Sequence, residues 1–269
     1  MNDSGPLLEV EEVVKRFGGI RAVDGATMNV RDGSITALIG PNGAGKTTLF
    51  NVVTGFYRGD RGSVRFDGDR VFGEPPYELA RKGMVRTFQI TKALAAMPVI
   101  DNMMLAAPNQ PGELFRNLIF MPRGVRAHEK QVRKQAMELL QLFNLTDLAD
   151  DYAGTLSGGQ RKLLELARAL MAEPKLLLLD EPMAGINPTL GARLLDHMQR
   201  LRRESGVTFL FIEHDMEVVM NHSDRVIVMA EGRVIAEGDP QEVRRDQRVI
   251  DAYLGGTATD TAHGEEVTQ

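Results

Sequence analysis

Apolar residues alternate with polar ones from the start of the chain. Leu8, Val10, Val13 and Val14 mark a strand that ends near Phe17. A second, short strand is expected over residues 26–30, and Arg31-Asp32-Gly33 after it is turn chemistry. Residues 34–39 are mostly apolar, the pattern of a strand buried on both faces. That strand runs directly into a glycine-rich loop and then a helical segment over about residues 46–54. Another strand is expected at residues 63–66, ended by Asp67-Gly68.

From residue 97 to residue 170 the periodicity becomes helical, with a Pro/Gly-punctuated stretch at 108–124. Within it, Val132, Ala136, Leu139, Leu140 and Phe143 form the apolar stripe of an amphipathic helix over 126–143. Strand-like runs return at 175–179 and 207–212, separated by a helix over roughly 189–203. Residues 225–229 and 233–236 flank Ala230-Glu231-Gly232 and read as a hairpin with a three-residue turn. Residues 255–269 carry almost no large apolar side chains and are expected to be a disordered tail. The pattern therefore predicts an α/β core interrupted by a mainly helical insertion.

Composition narrows the function. The chain has 269 residues, 43% hydrophobic and 26% charged, the mixture of a globular protein with a substantial core. Thirty-two Lys and Arg against 37 Asp and Glu leave a formal charge of −5, which argues against nucleic acid as a partner held by a basic surface. The absence of cysteine removes disulfides, thiol catalysis, cysteine zinc sites and iron–sulfur clusters. The five histidines are scattered without metal-ligand spacing. The longest apolar runs are strand-sized, and the polar N-terminus lacks the pattern of a signal peptide, so a cytosolic protein is expected.

The glycine-rich loop carries the strongest chemical signal. Gly40-Pro41-Asn42-Gly43-Ala44-Gly45-Lys46-Thr47 fits G-x-x-x-x-G-K-[ST] between a buried strand and a helix, with Thr48 following. Glycines let the backbone wrap an anion so that successive N–H groups face phosphates, and the helix N-terminus adds its dipole. Lys46 would place a charge on the β/γ-phosphates, and the Thr47 hydroxyl would ligate Mg²⁺. Leu176-Leu177-Leu178-Leu179-Asp180-Glu181 supplies the complement, an apolar strand delivering two carboxylates at its end. Asp180 would join the Mg²⁺ shell; Glu181, facing the other way along the strand, would orient or deprotonate the attacking water.

Leu156-Ser157-Gly158-Gly159-Gln160 opens a helical stretch, with Ser157 as a good N-cap. Together with the two nucleotide motifs, this pentapeptide resembles the ATP-binding subunit of ABC transporters over about residues 7–254. The resemblance implies a single ABC ATP-binding domain over those residues: a P-loop NTPase core, with a mixed sheet and an antiparallel β subdomain, interrupted by a helical ABC-specific subdomain at about 90–170. It implies further roles: Phe17 stacking on adenine, Gln89 of Arg86-Thr87-Phe88-Gln89 touching Mg²⁺ or the lytic water, and His214 contacting the γ-phosphate. It also implies a sandwich of two such subunits around two ATPs, in which Ser157, Gly158, Gly159 and Gln160 of one chain meet the nucleotide held by the other.

One position departs from the commonest pattern: Asn187 stands where most ABC ATPases carry Asp. Ala-Gly-Ile-Asn-Pro, Arg-Thr-Phe-Gln, Ile-Glu-His-Asp-Met and the terminal Ala252-Tyr253-Leu254-Gly255 nevertheless resemble the branched-chain (hydrophobic) amino acid uptake branch. That branch implies two membrane permease subunits, an extracytoplasmic solute-binding protein acting indirectly, and a place on the cytoplasmic face of the membrane. Urea or amide uptake, lipopolysaccharide export and a soluble non-transport ABC ATPase are the competing readings. The basic positions Arg126, Lys130, Arg133 and Lys134 fall at helical spacing, where interleaved Glu129 favours a solvated face over one for lipid headgroups or a partner. Met97, Met103 and Met104 read equally as a docking groove or as core.

Overall fold

The computed structural model describes residues 5–87, 92–108 and 122–255. In chain order its first elements are β1 (Leu8–Phe17), β2 (Ile20–Val30), β3 (Ile35–Ile39), α1 (Lys46–Val53), β4 (Arg61–Phe66) and β5 (Asp69–Arg70). Next come α2 (Pro76–Lys82), β6 (Met84–Arg86), α3 (Lys92–Ala95), α4 (Val99–Leu105), α5 (Pro122–Leu142) and α6 (Gly158–Met171). The chain continues through β7 (Leu176–Asp180), α7 (Pro188–Ser205), β8 (Thr208–Ile212), α8 (Met216–His222), β9 (Arg225–Ala230), β10 (Arg233–Gly238), α9 (Pro240–Val243) and α10 (Gln247–Gly255). Contacts gather these into two compact units: Met1–Leu79 with Leu178–Pro182 and Leu201–Gln269, and Ala80–Leu177 with Met183–Arg200.

The first unit holds an antiparallel sheet in the order β2-β1-β4-β5 and a larger mixed one in which β10, β9, β3, β8 and β7 follow one another. β3 lies parallel to both β8 and β9, while β10 runs antiparallel to β9. Every residue of β3 and β8 is buried, as continuous apolar runs require of central strands. Leu176, Leu177, Leu178 and Leu179 are at most 2% exposed, so each contributes about 1.5–3 kcal/mol of apolar burial.

Two strand expectations change. β2 begins at Ile20 rather than residue 26, because its first residues pair with β1 (Phe17 with Ile20, Arg16 with Arg21) at the exposed end of a hairpin. Ile20 is 71% exposed there, so burial leaves no apolar signature at that end of the strand. The β9–β10 turn has two residues and not three: Arg233 pairs with Ala230, leaving Glu231 (φ 50°) and Gly232 (φ 79°) as the loop. Two left-handed residues in succession make the type I′ turn, whose twist matches the strands it joins.

The second unit is mainly helical. On α5, Val132, Ala136 and Leu140 are buried while Arg126, Lys130, Arg133 and Lys134 face solvent, so the basic positions form a solvated face. Met103 is wholly buried in α4, which makes it core. Beside it the Asn102 side chain donates to the carbonyls of Leu94, Met97 and Pro98 at 2.9, 3.1 and 3.1 Å, tying the chain before α4 to the helix. Helix α10 closes the described chain at Gly255, and residues 256–269 of the expected tail lie outside the described residues.

Candidate nucleotide site

The loop between β3 and α1 is shaped by close backbone approaches. Gly40 (φ 148°), Gly43 (φ 77°) and Gly45 (φ 95°) all take positive φ. A Cβ on Gly40 would stand 2.1 Å from the Met229 carbonyl oxygen, and one on Gly45 2.2 Å from that of Ala22, so neither position tolerates a side chain. Gly45 is the N-cap of α1 and offers no side-chain cap, which leaves the first-turn N–H groups of the helix directed into the loop. Leu49, Phe50, Val52 and Val53 anchor α1 in the core behind them. Lys46, 6% exposed, donates from Nζ to the carbonyls of Gly40 and Pro41 at 2.8 and 3.0 Å. Burial lowers its pKa, and the charges of Glu181 and Asp180 oppose that shift, which places both carboxylates beside the loop.

The two acids do not separate by strand alternation. Strand β7 ends at Asp180, and Glu181 turns out of it in the left-handed region at φ 47°. The reason is a long-range hydrogen bond: its N–H donates to the Ile212 carbonyl at 3.0 Å, fastening the chain to the end of β8. Two residues beyond Ile212, His214 Nε2 meets Glu181 Oε1 at 2.6 Å. Both side chains are 45% exposed, so the pair stands at an open surface. Asp215 then N-caps α8 by accepting from the N–H groups of Glu217 and Val218. A non-glycine residue in this backbone region carries strain that the surrounding contacts must offset, a recurrent property of reactive positions.

Phe17 ends β1 at 45% exposure. Its ring meets Tyr57 edge-on, centroids 5.3 Å apart at 76°, and Lys15 Nζ lies 5.1 Å from its centroid. Asp60 holds this corner by accepting from the Arg16 N–H at 2.7 Å.

In the second unit, Ser157 and Gln160 form a reciprocal capping box at the start of α6: Gln160 N–H donates to Ser157 Oγ, and Ser157 N–H to Gln160 Oε1. Gly158 has open space around it, whereas a Cβ on Gly159 would reach within 2.0 Å of Leu190 Cδ2. Asn187 Oδ1 accepts from the Leu190 N–H at 2.9 Å and so caps α7, a role asparagine fills as well as aspartate.

The structure thus gathers Gly40–Thr48, Asp180, Glu181 and His214 in one unit, places Phe17 in that unit with Tyr57, and places Ser157–Gln160 in the other. Gln89 lies outside the described residues. Tyr57, the cap at Asn187 and the contact of Gly232 with the loop are not foreseen in the sequence. Only Glu231-Gly232 left a trace, as a residue pair suited to a two-residue turn.

A P-loop at a helix N-terminus, opposite a carboxylate pair and a histidine at the ends of adjacent strands, defines an ATP-binding cassette. The ABC transporter family matches residues 23–184, and the chain belongs to that family. A second family, described as branched-chain amino acid ATP-binding cassette transporter, matches residues 233–259. The chain is similar to the high-affinity branched-chain amino acid transport ATP-binding protein BraF of Pseudomonas aeruginosa, 42% identical over 252 residues, covering 94% of this chain and 99% of that protein. It is likewise similar to the probable branched-chain amino acid transport ATP-binding protein LivG of Archaeoglobus fulgidus, 42% identical over 249 residues, with 93% and 95% covered. Among solved structures it resembles the ADP conformation of an ATP-binding cassette of an ABC transporter, with a TM-score of 0.80 and 37% identity over 94% of this chain and 100% of that one. The protein is an ATP-hydrolysing subunit of an ABC importer.

Proposed function

We propose that this subunit energises uptake of branched-chain or related amino acids by closing around ATP with a second ABC ATPase chain and driving two separate permease subunits. The observation that carries the reading is the pairing of a complete P-loop, carboxylate and histidine site with a C-terminal segment matched, over residues 233–259, by the branched-chain cassette family. Among the described residues, no helix is long and apolar enough to cross a membrane. The membrane pathway then belongs to partners, with this chain docked peripherally on the cytoplasmic side and an extracytoplasmic binding protein delivering the solute. The ATP-binding domain occupies residues 7–254.

In this mechanism the loop N–H groups and Lys46 hold the phosphates, trading the Gly40 and Pro41 carbonyls for phosphate oxygens. Phe17 presents its ring to the base. Glu181 accepts the proton of a water that attacks the γ-phosphorus as the bond to the ADP oxygen breaks, and His214 fixes the Glu181 carboxylate at 2.6 Å while reaching the γ-phosphate. The site fits Mg²⁺ by its donor chemistry: a threonine hydroxyl in the phosphate loop and a carboxylate beside it are hard oxygen ligands, and Mg²⁺ is ordinarily held by one or two protein oxygens with phosphates and water completing its shell. Thr47 and Asp180 would hold it, with Gln89 as the third residue. Bound there, Mg²⁺ would neutralise charge developing on the phosphate oxygens. Ser157, Gly158, Gly159 and Gln160 would face the γ-phosphate of the partner's ATP. The α6 N–H groups are suited to that task, since the Gln160 side-chain oxygen is already used within the capping box.

The test is reconstitution with candidate permeases and binding protein in liposomes, with ATP supplied on the side of this subunit. Leucine uptake that requires intact Lys46 supports the reading. ATP hydrolysis stimulated by a different solute, with none by leucine, isoleucine or valine, overturns the substrate assignment.

A further inference from the structure

The turn that follows the phosphate-loop helix is fastened to both parts of the nucleotide site. Past the end of α1 the chain folds back on that helix. The Thr54 N–H donates to the Phe50 carbonyl at 2.9 Å, that of Gly55 to Val52 at 3.2 Å and that of Tyr57 to Asn51 at 2.9 Å. Gly55 makes this return possible at φ 75°, where a Cβ would stand 2.2 Å from the Glu74 carbonyl oxygen. Three residues beyond Tyr57 the chain reaches the end of β1. The Asp60 N–H donates to the Val14 carbonyl at 2.8 Å, and the Asp60 carboxylate accepts from the Arg16 N–H at 2.7 Å and from Lys15 Nζ at 3.4 Å. Residues 54–60 are therefore a strap from the helix that carries Lys46 to the strand that ends in Phe17. In the middle of the strap, Tyr57 makes its edge-on contact with the Phe17 ring, and Lys15 Nζ lies over that same ring. Both aromatic rings stay exposed, so the pair offers a surface that the fold itself does not cover.

We propose that Tyr57 is a positioning residue for the base of the nucleotide: its ring holds Phe17 in one orientation, at a spacing from the phosphate loop that the strap fixes in advance. The inference rests on Phe17 being the ring that stacks on the base. An exposed phenylalanine at the end of a hairpin has several staggered rotamers open to it. Few of them present the ring correctly to a base whose phosphates are already held by the loop. An edge-on neighbour selects among them, because the positive edge of one aromatic ring is attracted to the negative face of the other. The Lys15 ammonium adds its own attraction to the ring and is itself held by Asp60. The backbone hydrogen bond from Tyr57 to Asn51 then places this brace in register with α1, and so with Lys46 and the first-turn N–H groups. Base platform and phosphate loop are thereby spaced before the ligand arrives, which lowers the ordering cost of binding. Only a ligand that carries a base benefits.

The experiment measures, by calorimetry on the full-length chain, the affinities for ADP and for inorganic tripolyphosphate, which has no base. The variants are Tyr57→Leu, Tyr57→Phe, Phe17→Ala and the double variant Phe17→Ala with Tyr57→Leu. Tyr57→Leu keeps apolar bulk and removes the ring, so it is expected to weaken ADP binding about 2- to 10-fold and to leave tripolyphosphate binding unchanged. Tyr57→Phe restores the ring and should restore the ADP affinity. The double variant should bind ADP no more weakly than Phe17→Ala alone, because Tyr57 acts through that ring. Wild-type ADP affinity in Tyr57→Leu, beside a loss in Phe17→Ala, overturns the inference. Losses that add in the double variant also overturn it, since Tyr57 would then act independently of Phe17. So does a matching loss of tripolyphosphate affinity in Tyr57→Leu, which would mean that the phosphate-loop helix itself has shifted. Undiminished ADP affinity in Phe17→Ala would instead refute base stacking by Phe17, and the inference with it.

Discussion

Glu181 Oε1 and His214 Nε2 lie 2.6 Å apart although 33 positions separate them in the chain. The hydrogen bond from the Glu181 N–H to the Ile212 carbonyl makes this possible, because it fixes the end of β7 against the end of β8 and turns Glu181 out of the strand. A carboxylate held this way is positioned without being buried, which suits a group that must receive a proton from water.

Glu181→Gln retains size and hydrogen-bonding reach but loses the proton acceptor. Hydrolysis should fall about 10²- to 10⁴-fold while ATP binding persists. With ATP the variant should elute as a dimer on size exclusion, with ADP as a monomer, and adding Ser157→Arg should abolish the ATP dimer by crowding the γ-phosphate. If the partner is a homologous chain, the measurement is made on the mixed pair. Wild-type turnover in Glu181→Gln, with permeases present, would sink the assignment of the base.

Lys46→Ala removes the cation closest to the phosphates. ATPase activity should be lost and ATP affinity should fall by at least about tenfold, equivalent to about 1.4 kcal/mol. The fold should persist, because the apolar face of α1 and not Lys46 Nζ anchors that helix. Circular dichroism and nucleotide titration together check both halves of this expectation.

Gly232→Ala meets two obstacles at once. The residue sits at φ 79°, and a Cβ would press on backbone atoms of Ala22, Asp24 and Val23 at 3.1, 3.1 and 3.2 Å. The expected cost is about 1–3 kcal/mol, lowering Tm by several degrees, together with weaker ADP binding through the Ala44 contact. Gly68→Ala is the comparison, since it shares a positive φ but has nothing within 4 Å of its Cβ. Equal Tm losses in the two variants would show that backbone strain alone matters and that the close approach to β2 does not.

Asn187→Ala should cost about 0.5–2 kcal/mol by removing the cap of α7, whereas Asn187→Asp should stay within a few tenths. Thermal unfolding of the two variants distinguishes this capping role from a requirement for the amide itself. A large loss in Asn187→Asp would refute it.

Much of the fold was legible because burial leaves a pattern in the chain. The runs in β3, β7 and β8 are mostly apolar because central parallel strands are covered on both faces. The phosphate loop was equally legible, since its glycines, Lys46 and Thr47 act through backbone shape and local spacing within one strand–loop–helix segment. Ser157 as a helix cap belongs to the same class of local signal. Tertiary structure alone decided the rest. β2 extends to exposed Ile20 because β1 pairs with it, and pairing needs no apolar residue. Glu181 leaves its strand because a carbonyl at the end of β8 captures its N–H. Gly232 reaches the phosphate loop from a distant hairpin through its backbone groups, and a backbone N–H or C=O looks the same in every residue of a sequence. Local spacing specified the chemistry of the site, while long-range backbone hydrogen bonds specified where each reactive group is held.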